Sequence, residues 1–309
     1  MLDRRTTAMD SRRTECGTAT GDVVIAAVPA GDERSFLQVL DPLTERSRRI
    51  WSAGDYDLVS TGFRDEARAF IERRAFTAGT EVLDAACGSG NLAIPAARTG
   101  ARVTGIDLVP SLLDTASAWA QREGLAITLD EGSVEALPYD DARFDVVVSM
   151  FGVMFAARPE YVMSELTRVT HRGSTVALAN WTRGGFVGRM LAMHAARVPA
   201  PHGVPSPLLW ADEDTLREWF DARTWQLTTS SRTLTFRYPH SPSGTSALFQ
   251  AAYGPTVRVM EALDVDARTT FAAELTDHWT QHARVVPLAD GSVMTEVESE
   301  YLEIIAIRR

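Results

Sequence analysis

The stretch that decides the fold is Val82-Leu-Asp-Ala-Ala-Cys-Gly-Ser-Gly90, and the acid Asp107 follows it further along the chain. A short apolar segment runs into a turn that holds two glycines, and a helical pattern begins after them. Glycines at such a turn let the backbone approach a ligand closely, and the first N–H groups of a helix have no partner within it. Asp107 ends the next apolar segment, so we expect its carboxylate at the same crevice, where it can accept hydrogen bonds from both hydroxyls of a ribose.

Strand-like and helical segments alternate on both sides of this stretch. Such alternation is typical of a parallel sheet whose strands are joined by right-handed crossovers. Strands are predicted over residues 81–84, 101–107, 125–129, 143–149, 174–180, 224–238 and 294–307. Helices are predicted over 33–52 (interrupted near Pro42), 63–75, 91–98, 110–123, 159–170, 185–198 and 212–220, with two more helical segments within 244–284.

A second interpretation of the glycine turn stays open. Gly88-Ser-Gly-Asn-Leu-Ala93 also fits the dinucleotide fingerprint, and Asp107 has the spacing of its ribose-binding acid. Two details favour another ligand. Several residues separate the apolar strand from the first glycine, and Asp84 would place a negative charge beside a pyrophosphate. An acid at that position suits a ligand that carries an ammonium group and a sulfonium.

The charged residues exclude several classes of protein. The 31 basic residues are all arginine, and 41 acidic residues give a net charge of −10. Without lysine, a Schiff-base enzyme and a phosphate loop ending in Gly-Lys-Ser/Thr are both excluded. The acidic balance argues against nucleic acid as a partner.

The cysteines and the apolar runs bear on location. Cys16 and Cys87 are far apart, which supports neither a disulfide framework nor a zinc cluster, so we expect no metal and a cytoplasmic protein. No apolar run approaches the ~20 residues of a membrane-spanning helix, so no membrane partner is expected.

From about Trp51 to the C-terminus, the chain resembles the class I S-adenosylmethionine-dependent methyltransferases. It is most similar to the branch that holds the ubiquinone and menaquinone methyltransferases and many bacterial natural-product methyltransferases. The resemblance implies a Rossmann-like, doubly wound α/β sheet of seven strands in the order 3-2-1-4-5-7-6, with the last strand antiparallel. The motifs that carry it are Leu83-Asp-Ala-Ala-Cys-Gly-Ser-Gly-Asn91, Val103-Thr-Gly-Ile-Asp107, Glu131-Gly-Ser-Val-Glu-Ala-Leu-Pro138, Phe144-Asp-Val-Val-Val-Ser149 and the segment 150–186.

The same resemblance implies a set of cofactor-binding residues. The backbone of Ala86, Gly88 and Gly90 would hold the methionine portion of S-adenosylmethionine, and Asp84 would support its ammonium group. Asp107 would bind the ribose. The other implied contacts are Leu108, Ser133 and Val134 around the adenine, Ser149 at the end of the fourth strand, and Tyr56 over the methionine end.

One of these positions departs from the family pattern. Many relatives have an acid where this chain has Ser133. A hydroxyl accepts a hydrogen bond from the adenine amine more weakly than a carboxylate does, which concerns the affinity for the cofactor and not its identity.

The position of the acceptor site can be predicted from the sheet topology, because ligands bind at the carboxyl ends of such sheets. Large apolar side chains there predict an apolar or aromatic acceptor, although residues of this kind more often belong to the core. The predicted acceptor residues are Phe151, Met154, Trp181, Phe186, Met190, Trp210 and Tyr253.

Histidines supply the candidate base. His194, on a helix expected over the mouth of the site, is the candidate general base for an acceptor that is protonated at neutral pH. His278 and His282 have metal-ligand spacing on one predicted helix, but a third ligand is missing.

The predicted organisation is a flexible leader over 1–32, N-terminal lid helices over 33–78 and a methyltransferase domain over 79–309, with acceptor-pocket insertions at about 185–222 and 241–284. The predicted function is methylation of the O, N or activated C atom of a small molecule, with S-adenosylhomocysteine as the second product. An all-arginine basic set fits a GC-rich bacterium and thus secondary metabolism. We expect a monomer or a homodimer. A nicotinamide-dependent oxidoreductase and a non-catalytic binding protein are the two alternatives.

Overall fold

The computed structural model describes residues 41–309. The predicted leader over 1–32, and the part of the first predicted helix that precedes residue 41, lie outside the described residues. In order along the chain, the elements are α1 Pro42–Trp51, α2 Tyr56–Ser60, α3 Arg64–Glu72, β1 Glu81–Ala85, α4 Ala93–Arg98, β2 Arg102–Asp107, α5 Pro110–Glu123, β3 Ile127–Glu131, β4 Phe144–Met150, α6 Pro159–Val169, β5 Thr170–Trp181, α7 Phe186–Arg197, α8 Glu213–Trp219, β6 Trp225–Tyr238, α9 Pro242–Ala252, α10 Gly254–Ala262, α11 Val265–His282, β7 Arg284–Pro287 and β8 Val293–Arg308.

The sheet confirms the predicted fold class and the predicted strand order. Its order is β3-β2-β1-β4-β5-β8-β6, so the last strand of the chain lies between the fifth and the sixth. Strands β1 to β5 pair in parallel, whereas β8 runs antiparallel to both β5 and β6. The predicted count of seven strands was one too low, because β7 also pairs with β8. The sequence gives little sign of this strand, because it has only four residues and three of them are exposed.

The last helical region also differs from the prediction. It holds three helices (α9, α10 and α11) in place of two. The chain ends α9 at Ala252, and Gly254-Pro255 begins α10 at once. Proline fits the first turn of a helix, where its missing N–H has no partner to lose, so this pair starts a helix without an intervening loop.

The first described helix begins where proline chemistry places it. Pro42 occupies the first turn of α1, and the carboxylate of Asp41 caps the helix by accepting hydrogen bonds from the N–H groups of Leu43 and Thr44. The apolar residues of the central strands, such as Leu83 and Val148, are fully buried. Burial on both faces is what continuous apolar parallel strands require. Strands β1, β2 and β4 therefore end at one edge, and the following turns shape the site there.

Candidate active site

A cavity opens at the carboxyl ends of β1, β2 and β4, and we call it the first cavity. It encloses about 930 Å³, counted out to its open mouth. Its lining comes from α1, from the turn after β1, from the end of β2 and from the segments after β3 and β4. The lining residues are Thr44, Ser47, Trp51, Tyr56, Phe63, Asp84, Ala86, Cys87, Gly88, Asn91, Leu92, Asp107, Leu108, Leu112, Gly132, Ser133, Val134, Glu135, Met150, Phe151, Gly152, Phe155 and Ala156.

The turn after β1 has an unusual backbone. Ala86, Gly88 and Gly90 all have positive φ angles, of 59°, 52° and 88°. Glycine adopts this conformation freely, whereas an alanine there is strained and is retained where the surroundings impose it. A Cβ atom added at Gly88 would meet only the ring of Tyr56, at 3.9 Å. The turn therefore leaves bare backbone facing the cavity.

Asp107 is held against this turn by backbone donors. Its Oδ2 accepts a hydrogen bond from the Gly88 N–H at 2.8 Å, and its Oδ1 accepts one from the Val109 N–H at 3.0 Å. Burial raises the pKa of the carboxyl to about 6, although these N–H groups act to lower it. A carboxylate oxygen has two lone pairs, so each oxygen can still accept a hydrogen bond from a ligand hydroxyl.

Asp84 is a buried acid, and burying its carboxyl group costs folding free energy. Its side chain lines the first cavity, yet the residue is only 1% exposed, and no hydrogen-bond donor of the described residues reaches its Oδ2. Burial raises its pKa to about 8, helped by the nearby charge of Asp107. A buried acceptor without a partner is destabilising, and such groups are kept where a ligand supplies the missing donor.

Aromatic rings lie beside the glycine turn, with the ring of Tyr56 next to Gly88. The ring of Trp51 makes edge contacts with Tyr56 at 5.4 Å and with Tyr253 at 5.9 Å between centroids. Burial, and then the charge of Asp107, raise the pKa of the Tyr56 phenol, which therefore stays neutral. Tyr56 thus supplies a neutral hydroxyl near Asp107 without adding another charge.

Leu108, Ser133 and Val134 line the opposite side of the first cavity. The Oγ of Ser133 accepts a hydrogen bond from the Glu135 N–H at 3.1 Å, so one lone pair of the hydroxyl is already used. The hydroxyl keeps its proton and a second lone pair for a ligand. Glu135 is not a free acid, because both of its carboxylate oxygens accept hydrogen bonds from Arg158.

Two predicted cofactor-binding residues, Gly90 and Ser149, do not line the first cavity. Gly90 packs against α4 and α5, where a Cβ atom would stand 3.2 Å from the side chain of Ala116. The Ser149 hydroxyl is buried; it donates to the Ala85 carbonyl at 2.7 Å and accepts from the Val153 N–H at 3.2 Å. Their direct contacts with the cofactor stay a prediction; in this structure both residues shape the cavity from outside its lining.

The predicted acceptor residues separate into three groups. Phe151 lines the first cavity with a strained φ of 56°, and its ring stacks on Trp181 with 3.5 Å between centroids. Met154 lines a second cavity, described below. Tyr253 contacts Trp51 and Tyr56 but lines neither cavity.

The remaining four large apolar residues are buried, and their contact with an acceptor stays a prediction. Trp181, Phe186, Met190 and Trp210 are at most 4% exposed and line neither cavity. Phe186, for example, stacks on His278 with 4.3 Å between centroids. These side chains are core, because the carboxyl ends of the strands also need apolar cover.

The structure places His194, the candidate general base, away from both cavities. Its ring is buried, its Nε2 is 2.9 Å from the Thr256 hydroxyl, and its neighbours include Phe271 at 5.7 Å between centroids. Burial lowers its pKa to about 4, so the ring is neutral. His194 lines neither cavity, and within residues 41–309 no histidine does.

The histidine pair on α11 makes local contacts. His278 Nε2 lies 3.0 Å from the Phe186 carbonyl, and His282 Nδ1 lies 2.8 Å from the His278 carbonyl. In the part of the chain that the structure describes, no group of three or more His, Cys, Asp or Glu side chains could hold a metal ion. None of the helices formed by residues 41–309 combines the length and the apolar character that crossing a membrane requires.

Sequence reasoning missed the contribution of α1. Thr44, Ser47 and Trp51 of this helix line the first cavity. Arg158 pins the helix in place, since its guanidinium donates to Asp41 Oδ2 at 2.6 Å and to Thr44 Oγ1 at 3.2 Å. The sequence signal was a helical repeat of small polar residues ending in a tryptophan, which by itself resembles any amphipathic helix.

Gly152 was not singled out either. A Cβ atom there would stand 2.7 Å from the Ala86 side chain and 3.0 Å from the Ser149 hydroxyl, so only glycine lets the β4 turn approach the β1 turn. This close approach closes one wall of the first cavity.

The fold and the site together define a class I methyltransferase. A sequence family described as "Methyltransferase domain" matches residues 83–178. An uncharacterized protein of Mycobacterium tuberculosis is 34% identical over 274 residues, which cover 84% of this chain and 97% of that protein. A ubiquinone biosynthesis O-methyltransferase of Methylocella silvestris is 41% identical over 98 residues, or 30% of this chain and 37% of that enzyme.

A solved structure shows the same fold. The YcgJ protein of Bacillus subtilis superposes with a TM-score of 0.52 at 16% identity, covering 79% of this chain and 99% of that one. The match over residues 83–178 and the sequence relatives place this chain in the class I S-adenosylmethionine-dependent methyltransferase family, and the superposition shows the shared fold alone.

Proposed function

We propose that this protein binds S-adenosylmethionine in the first cavity and methylates a small apolar or aromatic molecule. The observation that carries the proposal is the buried Asp84 carboxylate beside a bare glycine turn, with one oxygen that lacks a partner within residues 41–309. An ammonium group is the ligand chemistry that satisfies such an oxygen.

The charge of the first cavity supports a cationic ligand. Asp84, Asp107 and Glu135 line it, whereas no arginine among the described residues does. Since Arg158 neutralises Glu135, Asp107 and Asp84 remain without a compensating cation; Asp84, whose pKa is raised to about 8, ionises when it pairs with a cationic group. They favour a cofactor with a sulfonium and an ammonium group, and they oppose the pyrophosphate of a nicotinamide dinucleotide. This arrangement speaks against the oxidoreductase alternative.

A few residues of the first cavity would each bind one part of the cofactor. Asp84 would hold the ammonium group, Asp107 the ribose hydroxyls, and Leu108, Ser133 and Val134 the adenine. When bound, the cofactor supplies a methyl group: a lone pair of the acceptor bonds to the methyl carbon while the carbon–sulfur bond breaks, and sulfur keeps the electron pair.

The residues of the cavity would contribute alignment and exclusion of water. Two groups held in a near-attack geometry react far faster than free ones, so orientation supplies much of such a catalysis. Trp51, Tyr56 and Phe155 give the cavity an apolar cover that keeps water out. Because no histidine among the described residues lines either cavity, the acceptor would bring a nucleophile that is unprotonated at neutral pH.

The acceptor class, the partners, the oligomeric state and the cellular location belong to the same proposal. We infer a small-molecule acceptor, neither nucleic acid nor membrane as a partner, a monomer or homodimer, and action in the cytoplasm of a bacterium, within secondary metabolism. The division into a leader, N-terminal lid helices and a catalytic domain also stays a proposal; in its support, α1 covers the first cavity and is pinned to it by Arg158.

Calorimetric titration with S-adenosylhomocysteine tests the cofactor assignment. We expect micromolar or tighter binding, which Asp107→Ala weakens at least tenfold, or by about 1.4 kcal/mol. The exposed acid Asp114, on α5, is the matched control, and Asp114→Ala should leave the affinity unchanged.

NADH titrated in parallel separates the alternatives. Binding of NADH with no binding of S-adenosylhomocysteine would overturn the proposal and assign the glycine turn to a dinucleotide. Binding of S-adenosylhomocysteine without methyl transfer to any acceptor in a mass-spectrometric screen would favour the non-catalytic alternative.

A further inference from the structure

A second cavity lies between α1 and the proline-rich loop that follows α7. It encloses about 680 Å³ of empty space, again counted out to its open side. Its walls come from one face of α1, from the segment after β4, from the proline-rich loop and from the start of α10. The lining residues are Leu43, Arg46, Ser47, Ile50, Trp51, Met154, Phe155, Ala156, Ala157, Ala200, Val204, Pro205, Pro207 and Pro255.

The second cavity adjoins the first. Ser47, Trp51, Phe155 and Ala156 line both, so these four residues form the partition between them. The rings of Trp51 and Phe155 stand 4.8 Å apart between centroids within this partition. A molecule seated in the second cavity therefore has the cofactor cavity as its immediate neighbour.

The lining of the second cavity is apolar except at one point. Arg46 is its sole charged residue among those that the structure describes. Arg46 is half-buried, and it makes no hydrogen bond or ion pair within residues 41–309, unlike Arg48 and Arg49 of the same helix, which pair with Glu131 and Glu45.

A guanidinium on an apolar wall favours an anionic partner. Its planar donors match a carboxylate or a similar oxyanion with two parallel hydrogen bonds. In a surrounding of low polarity such a pair is stronger than it is in water. The second cavity thus combines space for the apolar part of a ligand with a single side chain that can bind its acidic group.

We propose that the second cavity binds the methyl acceptor, and that this acceptor is an organic acid with an apolar or aromatic body. Arg46 holds its anionic group, the residues of α1 and of the proline-rich loop hold its body, and its nucleophile reaches the first cavity beside Trp51 and Phe155, where the two cavities meet. This inference rests on the proposed function, because it names the substrate class of the same site. A neutral apolar occupant is the competing outcome.

Two fluorescent probes with the same aromatic framework separate these occupants. Anilinonaphthalene sulfonate carries an anionic group, and phenylnaphthylamine is its uncharged counterpart. We expect the anionic probe to bind more tightly, and Arg46→Met to weaken it at least tenfold while the neutral probe changes less than twofold. Methionine replaces the apolar stem of the arginine side chain and removes its guanidinium, so the packing of the stem is preserved.

Arg49→Met is the matched control, since Arg49 is an exposed arginine of the same helix outside the second cavity. A second pair of variants tests the location. Val204→Trp fills the second cavity and should weaken both probes at least tenfold, whereas His202→Trp adds the same ring at an exposed position of the same loop and should weaken neither.

The failures of the two proposals are distinguishable by titrating each variant with S-adenosylhomocysteine. Arg46 does not line the first cavity, so Arg46→Met should keep that affinity within twofold. If the probes respond as expected but S-adenosylhomocysteine never binds, the proposed function fails and the anion-binding cavity stands. Equal loss of both probes in Arg46→Met, absence of binding by the anionic probe, or binding that survives Val204→Trp overturns the inference.

Discussion

The two cavities share a wall and differ in what builds them. The first is built around the ends of the strands: a turn with left-handed residues at Ala86 and Gly88, two carboxylates beside that turn, and a cover of side chains from α1 and from the segment after β4. The second is made of side chains from α1, the proline-rich loop and α10, which are far apart in the sequence. The difference teaches that the sheet topology positions the first cavity, which we propose binds the cofactor, while the packing of added helices forms the second, which we propose binds the acceptor.

The cavities also differ in charge. The first has Asp84 and Asp107 without a compensating arginine in its lining, and the second has Arg46 without an acid. A cationic cofactor and an anionic acceptor would each meet the opposite charge. Each would also be disfavoured in the other cavity, so the charges separate the two ligands as well as attracting them.

The largest effect is expected from the backbone of the first cavity. Gly88→Val should weaken binding of S-adenosylhomocysteine at least 100-fold, because Gly88 has a φ of 52° and its added side chain would stand in the space beside Tyr56. Isothermal calorimetry measures this loss. The probes of the second cavity should be unaffected, which separates the two regions.

Gly124→Val is the control for backbone strain. Gly124 caps α5 with a φ of 66°, and nothing lies within 4 Å of an added Cβ atom. Both variants should lose about 1–2 kcal/mol of unfolding free energy in urea, the usual cost of a left-handed side chain. An equal loss of affinity in both would mean that strain alone explains the effect and that the turn does not contact the cofactor.

An intermediate effect is expected from pH. The pKa of Asp84 is raised to about 8, so the carboxyl is largely protonated at pH 6.5 and must ionise to pair with an ammonium group. The affinity for S-adenosylhomocysteine should therefore rise about tenfold from pH 6.5 to pH 8, in line with one proton released on binding. Calorimetry in buffers of different ionisation enthalpy counts that proton.

The effect of pH on the stability of the fold has the opposite sign, because the contribution of Asp84 to stability falls as the pH rises. The folded-state pKa of Asp84 lies above its usual value of 3.8, so the neutral carboxyl stabilises the fold at low pH and this contribution is lost as the pH rises toward 8. Asp84→Asn should bind weakly with a flat pH profile. A variant that kept the wild-type pH profile would show that another group releases the proton.

The smallest effect is expected across the partition. If Trp51 and Phe155 separate two adjacent ligands, saturation with S-adenosylhomocysteine should change the affinity for anilinonaphthalene sulfonate about two- to threefold. Trp51→Ala should abolish this coupling, because it removes the larger of the two rings that line both cavities. The change must be reciprocal, so titration in the reverse order checks it. Coupling that persists in Trp51→Ala would place the contact between the ligands elsewhere.

The sequence by itself determined the sheet and the cofactor side of the site. The stretch from Val82 to Gly90, with Asp107, encodes a strand, a turn and a neighbouring strand end, all of them local features with rules of spacing. The insertion of the last strand between the fifth and sixth was predicted from the resemblance to the methyltransferase family and not from spacing, and the structure confirms it. The structure brings Asp84, Gly88, Asp107 and Ser133 to one cavity because local geometry and topology suffice to place them.

Only the tertiary structure decided which side chains of the added helices face a ligand. Trp181 and Trp210 are as aromatic as Trp51, yet the first two are core and the third separates the two cavities. The same holds for His194, which is buried against Thr256, and for Arg46, which was not singled out at all. The physical reason is that residues 43–51, 154–157 and 200–207 meet only after the whole chain has packed, and no local periodicity records which side of a helix will border an empty space.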